Sequence, residues 1–206
     1  MSRPDGPGMS ERWRNWRAGV DLDEYESRWT GPAAAGASVH GEADLIERFA
    51  RGTIVDAGCG TGRISVELAR RGHTVIGIDN DAEMLTRARV KAPEVTWLLG
   101  DLAEIELPAA VGTVALAGNV LIFVEPGAEA SVVANLARQL TPGGYFIAGH
   151  SVHTGPAEVA DYDRWATAAG LAPRHRFADW DGNPYQGGDY AVFVDQAPMG
   201  PSTRSR

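Results

Sequence analysis

Short β-branched apolar runs alternate along the chain with segments in which apolar residues recur at helical spacing. The first pattern predicts strands and the second predicts amphipathic helices. The strand signals are Thr53–Asp56, Thr74–Asp79, Val95–Leu99, Thr113–Ala117, Tyr145–Gly149, Arg174–Trp180 and Tyr190–Val194. The helical signals are Glu42–Ala50, Gly62–Arg71, Ala82–Ala92, Ala128–Leu140 and Ala157–Ala169. Because strands and helices alternate, we predict an α/β fold with a doubly wound, mostly parallel seven-stranded sheet.

The link between the last two strand signals is different from the others. Residues 181–189 contain Asp-Gly-Asn-Pro and a Gly-Gly pair but no helical pattern. A parallel crossover needs a helix, whereas an antiparallel hairpin needs only a turn. We therefore predict one antiparallel strand, formed by a hairpin at the end of the chain.

The chain divides into a central domain and flanking segments. Residues 1–11 and 197–206 are rich in Pro, Gly and Ser, and they are predicted to be disordered. Residues 12–41 carry aromatic side chains among many charges, which indicates short helical pieces that form a lid. Residues 42–196 form the α/β domain, and a chain of 206 residues needs no second core.

Composition narrows the classes of function. The 19 basic and 27 acidic residues give a net charge of −8, which disfavours a broad nucleic-acid-binding face. The single cysteine, Cys59, cannot form an intramolecular disulfide, which fits a reducing cytoplasm. No signal peptide is recognisable, and the apolar stretch Val111–Val124 is too short and too interrupted to span a bilayer. We expect a cytoplasmic monomer or homodimer without a metal site.

A glycine-rich turn follows the first predicted strand. Residues Val55–Arg63 read Val-Asp-Ala-Gly-Cys-Gly-Thr-Gly-Arg. The spacing differs from the Gly-x-Gly-x-x-Gly of dinucleotide binders, and no Lys-Ser/Thr follows as in a P-loop. Asp56, just before the turn, would repel a pyrophosphate and attract an ammonium group. Arg63 begins the next helix and is expected to be solvated.

Polar residues also follow the later strand signals, where open α/β sheets bind their ligands. Asp79 and Asn80 follow the second strand, Asp101 the third, Asn119 the fourth and His150 the fifth. Asp79 comes 23 residues after Asp56, about the offset at which an acid reaches a ribose. The alternative for Asp79, a helix N-cap, suits Asp81 better.

The glycine turn and the polar residues after the successive strands resemble those of the class I S-adenosylmethionine-dependent methyltransferases, and the resemblance covers residues 42–194. The layout of the whole chain is similar to that of small free-standing members from high-GC bacteria. The resemblance implies a Rossmann-like methyltransferase fold with S-adenosyl-L-methionine as cofactor. It implies that Asp79 binds the ribose and that Asp101 and Leu102 bind the adenine, although Asp101 also suits a simple turn. It implies that Met84 packs on the adenine, with core packing as the alternative. The remaining candidate contacts are the turn residues Asp56, Gly58, Cys59, Gly60 and Gly62, together with Asn80 and Asn119.

The resemblance also suggests where an acceptor would meet the cofactor. Asn119 would orient the cofactor or acceptor, or simply end its strand. His150 is a candidate general base, although a surface histidine is the default interpretation. Substrate or lid roles are also considered for Tyr25, Trp29, His40 and His153.

The expected activity is transfer of a methyl group to a small-molecule acceptor whose identity the sequence does not give. Two other classes stay open: a non-catalytic S-adenosylmethionine-binding protein, and a methyltransferase acting on RNA or protein. The acidic net charge makes the latter less favoured. The fourth strand signal also ends without the Asn/Asp-Pro-Pro-aromatic motif of many nucleic-acid amino methylases.

Overall fold

A computed structural model describes residues 8–30, 40–152 and 158–200 of the chain. Its centre is a seven-stranded sheet with the strand order β3-β2-β1-β4-β5-β7-β6. The strands are β1 (Ile54–Ala57), β2 (Val75–Asp79), β3 (Thr96–Leu99), β4 (Val111–Leu116), β5 (Leu140–Ser151), β6 (Ala172–Phe177) and β7 (Tyr190–Gln196).

Five neighbouring strands are parallel, and β7 is antiparallel to both β5 and β6. The predicted doubly wound α/β sheet with one antiparallel strand is therefore confirmed. The order of strands reverses between β1 and β4, so the first crossovers go one way and the later ones go the other. Such a switch point opens a crevice at the carboxyl ends of the strands.

Helices cover both faces of the sheet. They are α1 (Glu11–Ala18), α2 (Leu22–Thr30), α3 (Gly41–Phe49), α4 (Arg63–Arg70), α5 (Ala82–Lys91), α6 (Val120–Phe123), α7 (Glu129–Ala137) and α8 (Val159–Ala168). Helices α3, α4 and α5 contribute to one buried apolar cluster, and α7 and α8 to the other. None of the helices in the described part of the chain is long and apolar enough to cross a bilayer.

The predicted disorder at the N-terminus is wrong for residues 8–11. Met9 and Ser10 are 5% and 0% exposed. The Ser10 hydroxyl accepts from the Trp13 backbone N–H at 3.0 Å, which caps α1, and donates to the Phe123 carbonyl at 2.5 Å. A serine that satisfies a helix end and a distant carbonyl at once holds the chain against the domain.

The predicted disorder of the tail is likewise wrong for residues 197–200. Ala197 donates its backbone N–H to Gly144 at 2.9 Å, and the Pro198 carbonyl accepts from Gly143 at 3.0 Å. These bonds continue the pairing of β7 with β5 beyond Gln196, the last residue of β7. Strand β5 begins at Leu140, the last residue of the predicted helix Ala128–Leu140, where it pairs with Val111 of β4, and it runs through the predicted Pro-Gly-Gly turn.

Candidate active site

A cavity of about 460 Å³ opens at the carboxyl ends of the central strands. Its wall includes most of the predicted cofactor residues and one of the predicted lid residues. These are Asp56, Gly58, Cys59, Gly60, Asp79, Asn80, Met84, Asp101, Leu102, Asn119 and Tyr25.

The glycine turn after β1 forms the floor of this cavity. Gly58 and Gly60 have φ values of 77° and 56°, a left-handed conformation that favours glycine. The Gly58 and Cys59 N–H groups donate to the Ile78 carbonyl at 2.8 and 2.9 Å. A Cβ on Gly58 would lie 2.6 Å from Val120. The absence of side chains therefore lets the turn pass beneath α6 and leaves its backbone open to a ligand.

Asp79, at the end of β2, is 5% exposed and holds the turn in place. Its carboxylate accepts from the Gly60 N–H at 2.7 Å and from the Asp81 N–H at 2.9 Å. Burial raises the pKa of Asp79 to about 6, against the lowering effect of these two bonds. The side chain is therefore a pre-positioned acceptor that responds to pH near neutrality.

Asp56, at the end of β1, is also buried. One carboxylate oxygen accepts from the Ser65 N–H at 3.1 Å and from its hydroxyl at 2.6 Å, which ties β1 to α4. Burial raises the pKa of Asp56 to about 6, opposed by the Ser65 bonds and the Arg63 charge. The carboxylate that was predicted to attract an ammonium group is therefore already hydrogen-bonded to Ser65.

The third acid, Asp101, follows β3 and also lines the cavity. Asp101 accepts from the Ala103 N–H at 2.9 Å, the turn-forming role considered from the sequence. Met84 and Leu102, which are 1% and 8% exposed, supply apolar wall beside it. Gly8 lies so close that a Cβ there would be 2.0 Å from Asp101 Oδ2. Gly8 therefore lies against Asp101 in the cavity wall.

Cys59 is buried among these groups, with its Sγ 3.7 Å from the Gly60 carbonyl. Burial, followed by the charges of Asp79 and Asp56, raises the pKa of the thiol well above its usual range. A thiol that stays protonated is a poor nucleophile. The buried Cys59 thiol therefore packs within the turn and is not suited to act as a nucleophile.

Asn119 follows β4 with a φ of 67°, the one positive value among the described non-glycine residues. Its side-chain oxygen accepts from the Ser151 N–H at 2.7 Å, and its own N–H donates to Gly149 at 3.2 Å. Asn119 therefore joins the ends of β4 and β5 while lining the cavity. This structural role is the strand-ending alternative considered from the sequence.

Two predictions about the start of α4 need correction. Gly62 is not among the described residues that line the cavity; a Cβ there would meet Trp97 at 2.6 Å and Ala88 at 3.0 Å, so this glycine allows helix packing. Arg63 does line the cavity and is not simply solvated, because it forms two bonds with Glu42 at 2.6 and 3.2 Å. The partner lies 21 residues earlier, on α3, and no local pattern marks it.

The predicted role of His150 as a general base is not supported. The residue is 0% exposed and lies outside the described cavity wall. Its ring stacks on Phe193 at 5.2 Å and lies 5.6 Å from Tyr162. Phe146 and Ala148 of β5 face this same cluster, and the period of two in a strand places His150 with them.

The other predicted histidines do not reach the cavity within the described structure. His40 precedes α3 and lies outside the described cavity wall. His153 lies outside the described residues, and so does the side chain of Trp29.

Within the predicted lid segment, residues 12–41, the described rings that line the cavity come before Trp29 and His40. Trp13 and Trp16 of α1 join Tyr25 of α2 and Phe123 of α6 in one group of touching rings, and all four line the cavity. We call these four residues the aromatic wall. The sequence showed that residues 12–41 are rich in aromatic side chains, but it did not indicate their contact with Phe123.

Charged contacts fix the lid on both sides of the crevice. Arg17 of α1 is buried, and it donates to Asp81 at 2.9 Å and to Glu83 at 2.6 Å beside the β2 end. Arg12 donates to the Ile122 carbonyl at 3.2 Å beside the β4 end. Asp81 also caps α5, as predicted, by accepting from the Glu83 and Met84 N–H groups. Helix α1 therefore bridges the cavity from one side to the other.

Comparison with known proteins agrees with this arrangement. A family model described as a methyltransferase domain matches residues 54–144. A solved structure of a TehB-like SAM-dependent methyltransferase from Corynebacterium glutamicum is 34% identical, with a TM-score of 0.77, covering 85% of this chain and 97% of that one. The fold and the site at the strand ends define a Rossmann-like nucleoside-binding protein. The chain belongs to the S-adenosylmethionine-dependent methyltransferases, whose cofactor is S-adenosylmethionine.

Curated relatives match over a shorter region. Trans-aconitate 2-methyltransferase of Azoarcus sp. is 37% identical over 94 residues, which are 45% of this chain and 36% of that protein. An uncharacterized methyltransferase of Synechocystis sp. is 36% identical over 95 residues, 45% of this chain and 44% of that protein. The chain thus spans less than half the length of these two relatives.

Proposed function

We propose that the cavity binds S-adenosylmethionine and that the protein transfers its methyl group to a small-molecule acceptor. The observation that carries the proposal is the placement of Asp56, Asp79 and Asp101 at successive strand ends around an open glycine turn. The residues fit the cofactor, because its nucleoside and amino-acid ends carry O–H and N–H donors that match carboxylate acceptors.

In this proposal each part of the cofactor has its own partners. Asp79 accepts from the ribose hydroxyls, while Asp101 and the Leu102 backbone bind the adenine edge. Met84 supplies an apolar contact for the adenine face, and Gly58 and Gly60 let the turn approach the methionine end. Asn80 and Asn119 complete the wall at the second and fourth strand ends.

Catalysis in this proposal rests on alignment and exclusion of water. When bound, the cofactor supplies an already activated methyl group. The chain contributes by holding the acceptor in line and by shutting out solvent with the lid. The buried His150 is not proposed as a base, and transfer by proximity needs no strong acid–base pair.

A small acceptor is favoured over RNA or protein. The cavity volume of about 460 Å³ is in the range of small-molecule sites, and α1 crosses above it. The acidic net charge supports the same choice. Location in a reducing cytoplasm and a monomeric or homodimeric state remain predictions from the sequence.

The test has two stages. Calorimetry with S-adenosylhomocysteine, the demethylated cofactor, should show binding to the folded protein; no affinity would contradict the proposal at its first step. A methyl-transfer screen against a metabolite library, detecting S-adenosylhomocysteine, should then give turnover. Binding without turnover on any metabolite, RNA or protein would favour a non-catalytic cofactor-binding protein.

A further inference from the structure

Lys91, at the end of α5, joins the lid to the glycine turn although it lies outside the described cavity wall. Its ammonium group donates to the Thr61 carbonyl of the turn at 2.9 Å and to the Glu26 carboxylate of α2. Thr61 is 4% exposed, and its side chain is a further hydrogen-bond partner of Glu26. One partly exposed cation therefore holds a buried backbone oxygen of the turn and a carboxylate of the lid at the same time.

The oxygen that Lys91 holds belongs to a peptide group that is bonded at both ends. The same group carries the Gly62 N–H, which donates to the Cys59 carbonyl at 2.9 Å. The Cys59 carbonyl in turn shares its peptide group with the Gly60 N–H, which donates to Asp79 Oδ2 at 2.7 Å. Three hydrogen bonds and two peptide groups thus connect the Lys91 ammonium group to the Asp79 carboxylate, and we call this series the hydrogen-bond chain.

Every bond in the hydrogen-bond chain points the same way. Each N–H donates toward Asp79, so a cation lies at the donating end and a carboxylate at the accepting end. Aligned peptide groups polarise one another, and bonds to charged groups are the stronger ones. Loss of the Lys91 cation at one end should therefore weaken the bond from Gly60 to Asp79 at the other end.

The hydrogen-bond chain passes through the proposed cofactor site. Cys59, Gly60 and Thr61 all line the cavity, and so does Asp79, the proposed ribose acceptor. The position of these backbone groups and of that carboxylate decides how well a ligand fits. A cation outside the cavity can therefore influence binding without touching the ligand.

The lid reaches the other oxygen of the same carboxylate by a separate route. Arg17 of α1 donates to Asp81, whose N–H donates to Asp79 Oδ1 at 2.9 Å. Glu26 of α2 reaches Asp79 Oδ2 through Lys91 and the turn. Each helix of the lid is therefore linked to one oxygen of Asp79.

We propose, resting on the cofactor site proposed above, that Lys91 is a positioning residue for S-adenosylmethionine, which acts through the glycine turn on Asp79. Glu26 fixes the Lys91 ammonium group, so the position of Lys91 depends on α2. The lid then contributes to cofactor affinity through the turn, in addition to covering the cavity with the aromatic wall.

The first experiment measures S-adenosylhomocysteine binding to the full chain by calorimetry. Lys91→Met keeps an unbranched side chain but removes the charge and the donor, so the affinity should fall about 10-fold. Lys91→Arg keeps a cation with donors and should recover most of that loss. A stabilising role that needed only the aliphatic stem would give the opposite order, with the Met variant closer to wild type.

Arg87→Met is the matched control for attachment of the lid. Arg87 also joins α5 to α2, through Asp23 and Glu26, but it has no bond to the turn in the described structure. Because exposed ion pairs contribute little, this change should lower the affinity less than about 3-fold. The difference between Lys91→Met and Arg87→Met isolates the bond to the turn.

The second experiment measures the hydrogen-bond chain without any ligand. The amide proton resonances of Gly60 and Gly62 should move upfield in Lys91→Met, because both N–H groups would form weaker hydrogen bonds. The Gly58 amide, which donates to the Ile78 carbonyl outside the chain, should keep its shift. A side chain that only stabilised the fold would lower the unfolding temperature and leave all three resonances in place.

The third experiment asks whether α2 acts through Lys91. Glu26→Gln keeps an acceptor for the Thr61 side chain but removes the charge, so S-adenosylhomocysteine affinity should fall about 3-fold. The same change in a Lys91→Met background should have no further effect, because residues that act in series are not additive. Additive losses would contradict the link between Glu26 and Lys91.

Two results would overturn the role of Lys91: equal affinities for Lys91→Met and Arg87→Met, or Gly60 and Gly62 resonances that match those of wild type. If Lys91→Met does not fold, Lys91→Gln allows the same two measurements. Failure of the wild type to bind S-adenosylhomocysteine would instead contradict the proposed function, and the amide resonances would still test the hydrogen-bond chain.

Discussion

At the scale of single residues, the carboxylate of Asp79 has the most defined environment in the site. It is held by two backbone N–H groups and lines the cavity between the glycine turn and α5. Because those bonds fix its position, little ordering is required when a ligand arrives. The same bonds mean that a substitution affects both the turn and the ligand.

We expect Asp79→Asn to weaken S-adenosylhomocysteine binding by about 1–3 kcal/mol, because charge-assisted hydrogen bonds to the ribose are lost. Calorimetry measures the change, and circular dichroism checks that the variant is folded. Glu104→Gln is a suitable control, because Glu104 is exposed and lies outside the described cavity wall. Equal affinities for wild type and Asp79→Asn would remove Asp79 from the proposed site.

The pH dependence of binding should reflect Asp56 and Asp79, whose pKa values burial raises to about 6. A ligand that donates hydrogen bonds favours their ionised forms, so binding should release protons near pH 6 and strengthen as the pH rises through that value. Calorimetry at pH 6 in buffers of different ionisation enthalpy measures the release, which should vanish at pH 8. Affinity that falls between pH 5 and 7 would contradict this account.

Without ligand, these two acids should have the opposite effect on stability. Their folded-state pKa lies above the unfolded value near 3.8, so the native protein holds more protons between about pH 4 and 6. Their contribution to the free energy of unfolding therefore falls as the pH rises through that window. The ligand should offset this loss, so its effect on the unfolding temperature should be larger at pH 7 than at pH 5.

At the scale of elements, the lid depends on one buried ion pair. Arg17 of α1 and Asp81 are 9% and 0% exposed in their side chains, and they bind at 2.9 Å. Since Asp81 follows the β2 end by two residues, the lid is joined directly to the part of the site that contains Asp79. The position of α1 and the position of Asp79 are therefore coupled.

We expect Arg17→Met to detach α1, because it leaves the Asp81 carboxylate buried without its cation. Hydrogen exchange in residues 10–30 should accelerate by about 10-fold or more, with smaller changes in the central strands. Arg12→Met is the comparison, since it removes one exposed hydrogen bond to the Ile122 carbonyl and should accelerate exchange less than Arg17→Met. Unchanged exchange in α1 would show that the aromatic contacts alone hold the lid.

At the scale of the whole molecule, His150 belongs to the core between β5, β7 and α8. Tyr162 donates to Asp195 at 2.8 Å in the same cluster, and burial raises the pKa of Asp195 to about 6. The stacked rings of His150 and Phe193 fill the space between strand and helix. A change here should act through folding and not through the chemistry of the cavity.

We expect His150→Ala to lower the free energy of unfolding by about 2–4 kcal/mol, because it leaves a void in the core. Denaturant unfolding measures this loss. Turnover per folded molecule should stay close to wild type once an acceptor is known. A fall of about 100-fold or more in turnover with unchanged stability would restore the general-base hypothesis.

The sequence alone determined the fold class of this protein and the edge of the sheet at which the candidate site lies. Alternating strand and helix periods gave the doubly wound sheet, because crossover helices force parallel pairing. The glycine turn and the acids after β1, β2 and β3 gave the position of the site, since carboxyl ends of parallel strands lie along one edge. These signals are local, so they can be recognised without knowing the fold.

The tertiary structure decided which side chains face the site and what covers it. Arg17 and Asp81 are 64 positions apart, and Trp13 and Phe123 are 110 apart (123 − 13), so no local pattern links either pair. His150 follows the predicted end of a strand, as the site residues do, but β5 continues to Ser151 and strand alternation turns the His150 side chain into the core. Gly62 continues the glycine motif, yet packing against Trp97 determines its role. Contacts between distant segments control burial, and burial decides which of the polar residues at the strand ends can meet a ligand.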